Sequence, residues 1–201
     1  MRYALIAVCA AALTATAWAR VPVTQAAPAG ATIQGDPQAI RELNAAREKF
    51  AALRTYRARM SMEGREIMTM EIVKPDRSRI RIAIAPNLPA NEITVIGNES
   101  WTRSGNNCRK DAARQPARDD GDPTKAQGNM TVQRGGTETI DGTPAQTYLV
   151  TYVYEGQQGR QKFYVTPANG MIRRMETSNP QGTVTFDYFD YDAPITITPP
   201  C

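Results

Sequence analysis

Histidine is absent from all 201 residues. It is the commonest general base near neutral pH and the commonest metal ligand. Ser-His-Asp and Cys-His nucleophilic arrangements are therefore excluded, as are histidine-bearing zinc sites. Cysteine is scarce: Cys9, Cys108 and Cys201 are the only three. None forms a C-x-x-C pair, so a dithiol redox motif is missing, and Cys108 and Cys201 alone are too few for a four-cysteine zinc site. There is no dense basic run, and a formal charge of +4 is small; nothing here supports nucleic-acid binding. A glycine-rich phosphate loop is also lacking. Catalysis would have to rest on carboxylates, lysine or a serine-lysine pair, and no spacing proposes one. Asp119, Asp120 and Asp122 cluster, but the D-x-D-x-D-G calcium pattern is absent and Arg118 and Lys125 compete for them. The reading is no enzyme, no cofactor and no metal.

What is present begins with an export signal. Arg2 is followed by an apolar stretch over 3–19, interrupted only by Thr14 and Thr16. Ala17-Trp18-Ala19 offers the small residues of a cleavage site, and a second candidate follows Gln25-Ala26. The stretch is shorter than the roughly 20 residues of a bilayer span. Val8 is too large to precede a lipidated cysteine at Cys9. The expectation is a periplasmic protein cut near Ala19 or Ala26. In that oxidising setting Cys108 and Cys201 are expected to pair.

Residues 20–35 are rich in Ala, Pro, Thr and Gly and read as a flexible lead-in. Asp36 is a good N-cap, and Pro37 suits the first helical position. Ile40, Leu43, Ala46, Phe50 and Leu53 then fall at helical spacing, giving one apolar face over 38–53. From Thr55 the period changes to two. Tyr56, Ala58, Met60 and Met62 alternate with polar residues, as do Met68, Met70 and Ile72, and then Ile80, Ile82 and Ile84. Further strands are expected over 91–97, 99–103, 128–133, 137–140, 145–154, 161–166, 171–177 and 183–191. Glu63-Gly64, Asp141-Gly142 and Asn169-Gly170 mark turns. Residues 104–128 form a long polar stretch, expected as a loop. The fold class is α+β, mostly β: a strongly curved antiparallel sheet, a half-open barrel, of about ten strands packed on one main N-terminal helix. It occupies residues 36–201 as one domain. One helix cannot cover such a sheet, so the surplus apolar face must curl on itself or enclose something.

Several stretches resemble a known superfamily. They are the helix over 39–53 leading into a tyrosine-bearing strand, Val73-Lys74-Pro75-Asp76-Arg77-Ser78-Arg79, and Ile93-Thr94-Val95-Ile96-Gly97-Asn98-Glu99-Ser100-Trp101. Glu138-Thr139-Ile140-Asp141-Gly142-Thr143-Pro144-Ala145 and the closing Asp187-Tyr188-Phe189-Asp190-Tyr191 follow. Their order resembles the outer-membrane lipoprotein carriers (LolA-like) and the mycobacterial lipid-binding lipoproteins (LppX-like). The resemblance implies a half-open barrel around helices whose interior holds acyl chains. It departs at 104–128, where the carriers insert lid helices and this chain has no apolar stripe.

The resemblance makes Met60, Met62, Met68, Met70, Ile80 and Ile82 candidates for a lipid-lined wall, methionine being adaptable to irregular apolar shapes. Plain core packing is the alternative for each. Trp101 is a candidate for the mouth of that cavity, where an amphipathic ring suits a lipid head group; a rim or core aromatic is the alternative. Arg57, Arg59, Arg77, Arg79 and Arg81 would line the outer face, as a basic stripe for an anionic head group or acidic partner or, neutralised by nearby Glu66 and Glu71, as a solvated salt-bridged face. The expected partner is a lipid or the acyl chains of a lipoprotein, bound by a monomer. The alternative is a periplasmic protein-interaction or sensor module that meets an envelope protein through a sheet edge or residues 104–128.

Overall fold

A computed structural model describes residues 33–83, 90–111, 129–154, 157–179 and 182–201. Ile84, the Asp119–Asp122 cluster and both candidate cleavage sites lie outside these residues. The chain begins with β1 (Ile33–Gly35) and α1 (Pro37–Ala52). Six strands follow: β2 (Thr55–Met62), β3 (Arg65–Val73), β4 (Arg77–Ile82), β5 (Asn91–Ile96), β6 (Glu99–Ser104) and β7 (Asn107–Asp111). The second run is β8 (Asn129–Ile140), β9 (Thr143–Tyr154), β10 (Gln157–Thr166), β11 (Met171–Asn179) and β12 (Gly182–Phe189).

All twelve strands form one curved, unclosed sheet in the order β1-β8-β9-β10-β11-β12-β2-β3-β4-β5-β6-β7. The last strand therefore lies beside β2 and joins two meanders, β2–β7 and β8–β12. The pairing is antiparallel except at one edge, where β1 runs parallel to β8. Ile33–Gly35 thus adds an edge strand within the expected lead-in, and Asn107–Asp111 adds another within the expected polar loop. The two short strands expected over 128–140 are one 12-residue strand with a bulge between Arg134 and Thr137. The bulge carbonyls are satisfied from β9: Gln146 Nε2 donates to Gly135 O at 2.6 Å, and Thr147 Oγ1 donates to Gly136 O at 2.8 Å.

The start of α1 follows from local chemistry. Asp36 Oδ1 accepts from Gln38 N at 2.8 Å, and Pro37 fills a position whose N–H would be orphaned. Gly35 has φ +121°, and a Cβ there would stand 2.0 Å from Val132 O. Glycine lets β1 lie close against β8, and Asp36 N then donates to Val132 O at 3.1 Å. The helix is thereby launched directly across the concave face, where it packs on β1, β8 and β11.

Ala39, Leu43, Ala46 and Phe50 are buried along the inward stripe of α1. Phe50 meets Tyr56 at 4.8 Å and Tyr188 at 4.9 Å between ring centroids. Tyr148, Val150, Phe163, Ile172 and Met175 complete the core beneath the helix. Asp141 and Gly142 take φ +48° and +77°, the positive pair that a tight hairpin between β8 and β9 requires.

After β12 the chain does not stop at the sheet. Asp192 N donates to Thr55 O at 2.9 Å, and Thr55 Oγ1 donates to Ala193 O at 2.6 Å. The tail ends at β7, where Cys201 is disulfide-bonded to Cys108 with 6.2 Å between Cα atoms. Arg103 Nη2 donates to Pro200 O at 2.8 Å beside it. The expected cysteine pair is present.

Candidate functional site

Strand register decides which side chains share a face, because directly opposed residues point the same way. Phe186 opposes Met60, Met60 opposes Met68, and Met68 opposes Ile82. One step along, Val184 opposes Met62. On the other side, Met70 opposes Ile80, and Ile80 opposes Ile93. These residues share the concave face with Tyr188 and Ala58, which belong to the core.

They are not equally covered. Met70 is 9% exposed and belongs to the core beneath α1, so the packing alternative holds for it. Met68, Ile80 and Phe186 are only partly buried at the margin of that core. Met60, Ile82, Ile93 and Val184 are also half-buried, and Met62 is 44% exposed. The reason is geometric: α1 packs mainly on β1, β8 and β11 and reaches β2 and β12 through Phe50, at Tyr56 and Tyr188, so Met60, Met68 and Ile82 lie at the margin of what it covers. The row Phe186–Met60–Met68–Ile82 crosses four strands, about 14 Å at the usual strand spacing.

Val184, Phe186 and Ile93 were not among the residues singled out from the sequence. Their period-two pattern is visible in Val184-Thr185-Phe186-Asp187-Tyr188. Nothing local shows, however, that this strand lies beside β2.

Trp101 is a correction. It opposes Thr94, which opposes Arg79, which opposes Glu71. That row is on the outer face, opposite the methionines. Trp101 is nonetheless 5% exposed, and Thr94 is fully buried. The C-terminal tail is anchored on this same side of the sheet. It runs from Thr55 on β2 to Cys108 on β7, and Ile197 in its middle is 2% exposed. Cys108 shares the outer face with Trp101, two residues along β7 from the lysine that opposes the indole. Lys110 Nζ stands 5.5 Å from the Trp101 ring centroid. The indole is a covered structural element, away from any cavity mouth.

The rest of the outer face is charged and largely compensated. Arg57 pairs with Glu71 at 2.9 Å and Asp190 at 2.7 Å, and Arg79 with Glu71 at 2.8 Å. Arg81 pairs with Glu92 at 2.9 Å, and Arg59 approaches Glu66 at 3.7 Å. The hydrogen bond to Asp190, followed by that to Glu71, holds the Arg57 guanidinium above its ordinary value. A basic stripe for an anionic partner is thereby cancelled at Arg57, Arg59, Arg79 and Arg81, leaving Arg77 without an ion pair among the described residues.

One polar network touches the helix. Tyr148 Oη donates to Glu42 Oε2 at 2.7 Å, and Arg134 Nε donates to the same oxygen at 3.1 Å. The Tyr148 hydrogen bond is the main cause holding the Glu42 carboxyl below its usual range. Burial, with that same bond, pushes Tyr148 up to about 12. These groups orient α1 on β8 and β9. The concave strip itself presents methyl, thioether and phenyl groups, and its chemistry is apolar contact. Among the described residues no three of Cys, Asp and Glu are grouped as a metal site.

No family model matches the chain, and no curated protein sequence resembles it. Solved structures do. LprF from Mycobacterium bovis aligns over 83% of this chain and 98% of its own, at 16% identity and TM-score 0.62. Lipoprotein LppX from Mycobacterium tuberculosis aligns over 81% of this chain and 100% of its own, at 10% identity and TM-score 0.63. The chain has the LppX-like fold. A LolA-superfamily protein from Nitrosomonas europaea aligns at TM-score 0.32, which is too distant to carry an argument.

Proposed function

We propose that this protein is a non-enzymatic binding protein of the cell envelope that holds a lipid, or the acyl chains of a lipoprotein, in its concave face. The observation that carries the reading is the row Phe186–Met60–Met68–Ile82, left half-open at the margin of the core that α1 covers. A curved sheet with one apolar face is stable only when that face is covered. Here an acyl chain is the cover. Each methylene buried contributes about 0.8 kcal/mol, so a chain of ten methylenes reaches roughly 8 kcal/mol before ordering costs. The LppX-like fold, shared with two mycobacterial proteins of which LppX is named a lipoprotein, supports the reading. So does the secretory pattern at 1–19.

The test is native mass spectrometry of protein recovered from the envelope, with organic extraction and titration by a fluorescent fatty acid. A co-purifying lipid, or saturable uptake lost in Met60→Asp, is expected. Ligand-free protein that takes up no fatty acid sinks the proposal.

A further inference from the structure

On the sheet half whose inner face is filled by α1, the outer face carries a different feature. An open groove of about 630 Å³ lies across β1, β8, β9, β10 and β11. Its floor is a single cross-strand row, Gln34–Thr131–Thr151–Arg160–Ser178, each residue directly opposing the next. A second row, Asn129–Val153–Gln158, runs beside it. Six of these eight side chains are hydroxyls or amides, and both groups donate and accept hydrogen bonds. Val153 is 45% exposed and is the one apolar side chain of the two rows.

Charge sets this groove apart from most of the neighbouring outer face, where Arg77 is the exception with no ion-pair partner among the described residues. On β2–β4 the arginines Arg57, Arg59, Arg79 and Arg81 are each neutralised by a carboxylate. Arg160 has no ion-pair partner among the described residues, and no Asp or Glu is among the described residues lining the groove. A guanidinium set in a field of hydroxyls and amides favours an anionic oxygen.

We propose that this groove binds an acidic saccharide: a hydroxyl-rich sugar bearing one carboxylate or phosphate, with the anionic group on Arg160 and sugar hydroxyls on the Thr131–Thr151–Ser178 row. The volume suits a mono- to disaccharide-sized ligand within the ordinary range of binding pockets. A peptide is disfavoured because Arg160 and the Thr131–Thr151–Ser178 row stand on interior strands whose backbone groups are engaged in the sheet ladder, whereas strand addition needs a free edge. A nucleic acid is disfavoured because one cation neutralises one phosphate, too few for backbone binding. An acyl chain is disfavoured because the two outward rows carry one apolar side chain, Val153, while Met130 and Tyr152, which also line the groove, pack with the core on the other face. The proposal is independent of lipid binding on the concave face.

The experiment is calorimetric titration of the purified protein with N-acetylmuramic acid, glucose 1-phosphate, neutral N-acetylglucosamine and inorganic phosphate, alongside amide NMR shifts. Expected are saturable binding of an acidic sugar, shifts centred on Thr131, Thr151 and Arg160, and at least tenfold weakening in Arg160→Gln. Arg77→Gln, which removes an exposed arginine outside the groove, should bind as wild type. Thr151→Val supplies a second variant if Arg160→Gln disturbs folding, and should weaken the sugar without changing the circular dichroism spectrum. The proposal is overturned by absence of saturation with both acidic sugars, by equal affinity for the neutral sugar, or by phosphate alone binding as tightly. Equal losses in Arg160→Gln and Arg77→Gln also overturn it, since they mark non-specific charge attraction.

Discussion

Replacing Cys201 by serine cuts the only covalent tie between the tail and β7. The disulfide joins residues 93 positions apart. In the chain-entropy model, a loop of that length restricts the unfolded chain by about 4.6 kcal/mol. For a domain of this size each kcal/mol moves the melting temperature by about 2–4 °C, so Cys201→Ser should melt roughly 9–18 °C lower. The same cut should change what the tail covers. Trp101 is 5% exposed, and Ile197 is buried to 2% in the tail that crosses its face. In a Trp18→Phe background Trp101 is the only tryptophan, so its emission reports this one site. Removal of residues 193–201 should shift that emission to the red under conditions where far-ultraviolet circular dichroism stays native. Thermal melts with and without reductant supply the stability arm. A Cys201→Ser melting point within about 3 °C of wild type would refute the entropic argument. Unchanged Trp101 emission in the tail-truncated protein would refute the assignment of the tail as its cover.

Phe50→Ala should cost about 3–5 kcal/mol by chemical denaturation, because the ring is fully buried against Tyr56 and Tyr188. Gly35→Ala should loosen β1 from β8, since its Cβ would meet Val132 O at 2.0 Å; faster hydrogen exchange at Asp36 N reads this. Tyr148 and Tyr164 titrate at about 12 in the fold against an ordinary 10, so folding favours their protonated forms. That contribution is complete below pH 10 and is lost as pH rises toward 12, so stability should fall across that window and fall less steeply in Tyr148→Phe. The same variant should raise the Glu42 pKa, observable by carboxyl NMR, because the Tyr148 hydrogen bond is the main cause of its depression.

The helix was legible because its start is written locally. Asp36 and Pro37 specify one end, and Leu43, Ala46 and Phe50 specify the inward stripe. The hairpin at Asp141-Gly142 was legible for the same reason. The adjacency of β12 and β2 was not: it pairs Phe186 with Met60 across more than half the chain, and no local pattern encodes that choice. This pairing is what completes the apolar row, so part of the strip went unread. Trp101 shows a different failure. The turn at Gly97-Asn98 makes Ile96 oppose Glu99, which by counting puts Trp101 opposite Thr94 and away from Ile93. That signal was available, but the amphipathic ring, set between a turn and a loop, suggested a cavity mouth on the other face. The missing term was the tail, whose Ile197 gives the outer face a cover of its own. Strand β7 was missed because Asn107-Cys108-Arg109-Lys110-Asp111 has no apolar alternation. An edge strand with no core face needs none.

These particulars give the two halves of the sheet opposite architectures. Over β8–β11 the inner face is filled by α1, and the outer face is left to a polar groove. Over β2–β7 the outer face is closed by salt bridges and by the disulfide-pinned tail, and the inner face is left half-open. A strand buried on one face can hold its register while the other face stays unfilled. The buried outer residues Thr94 and Trp101 do this at the Ile93–Thr102 end of β5 and β6, while at the other end Val95 and Ser100 are buried on the inner face. Covering that half from outside therefore keeps it ordered without packing a second helix into the concavity. The tail and the apolar strip are thus two parts of one arrangement: the first stabilises the strands that the second must leave accessible.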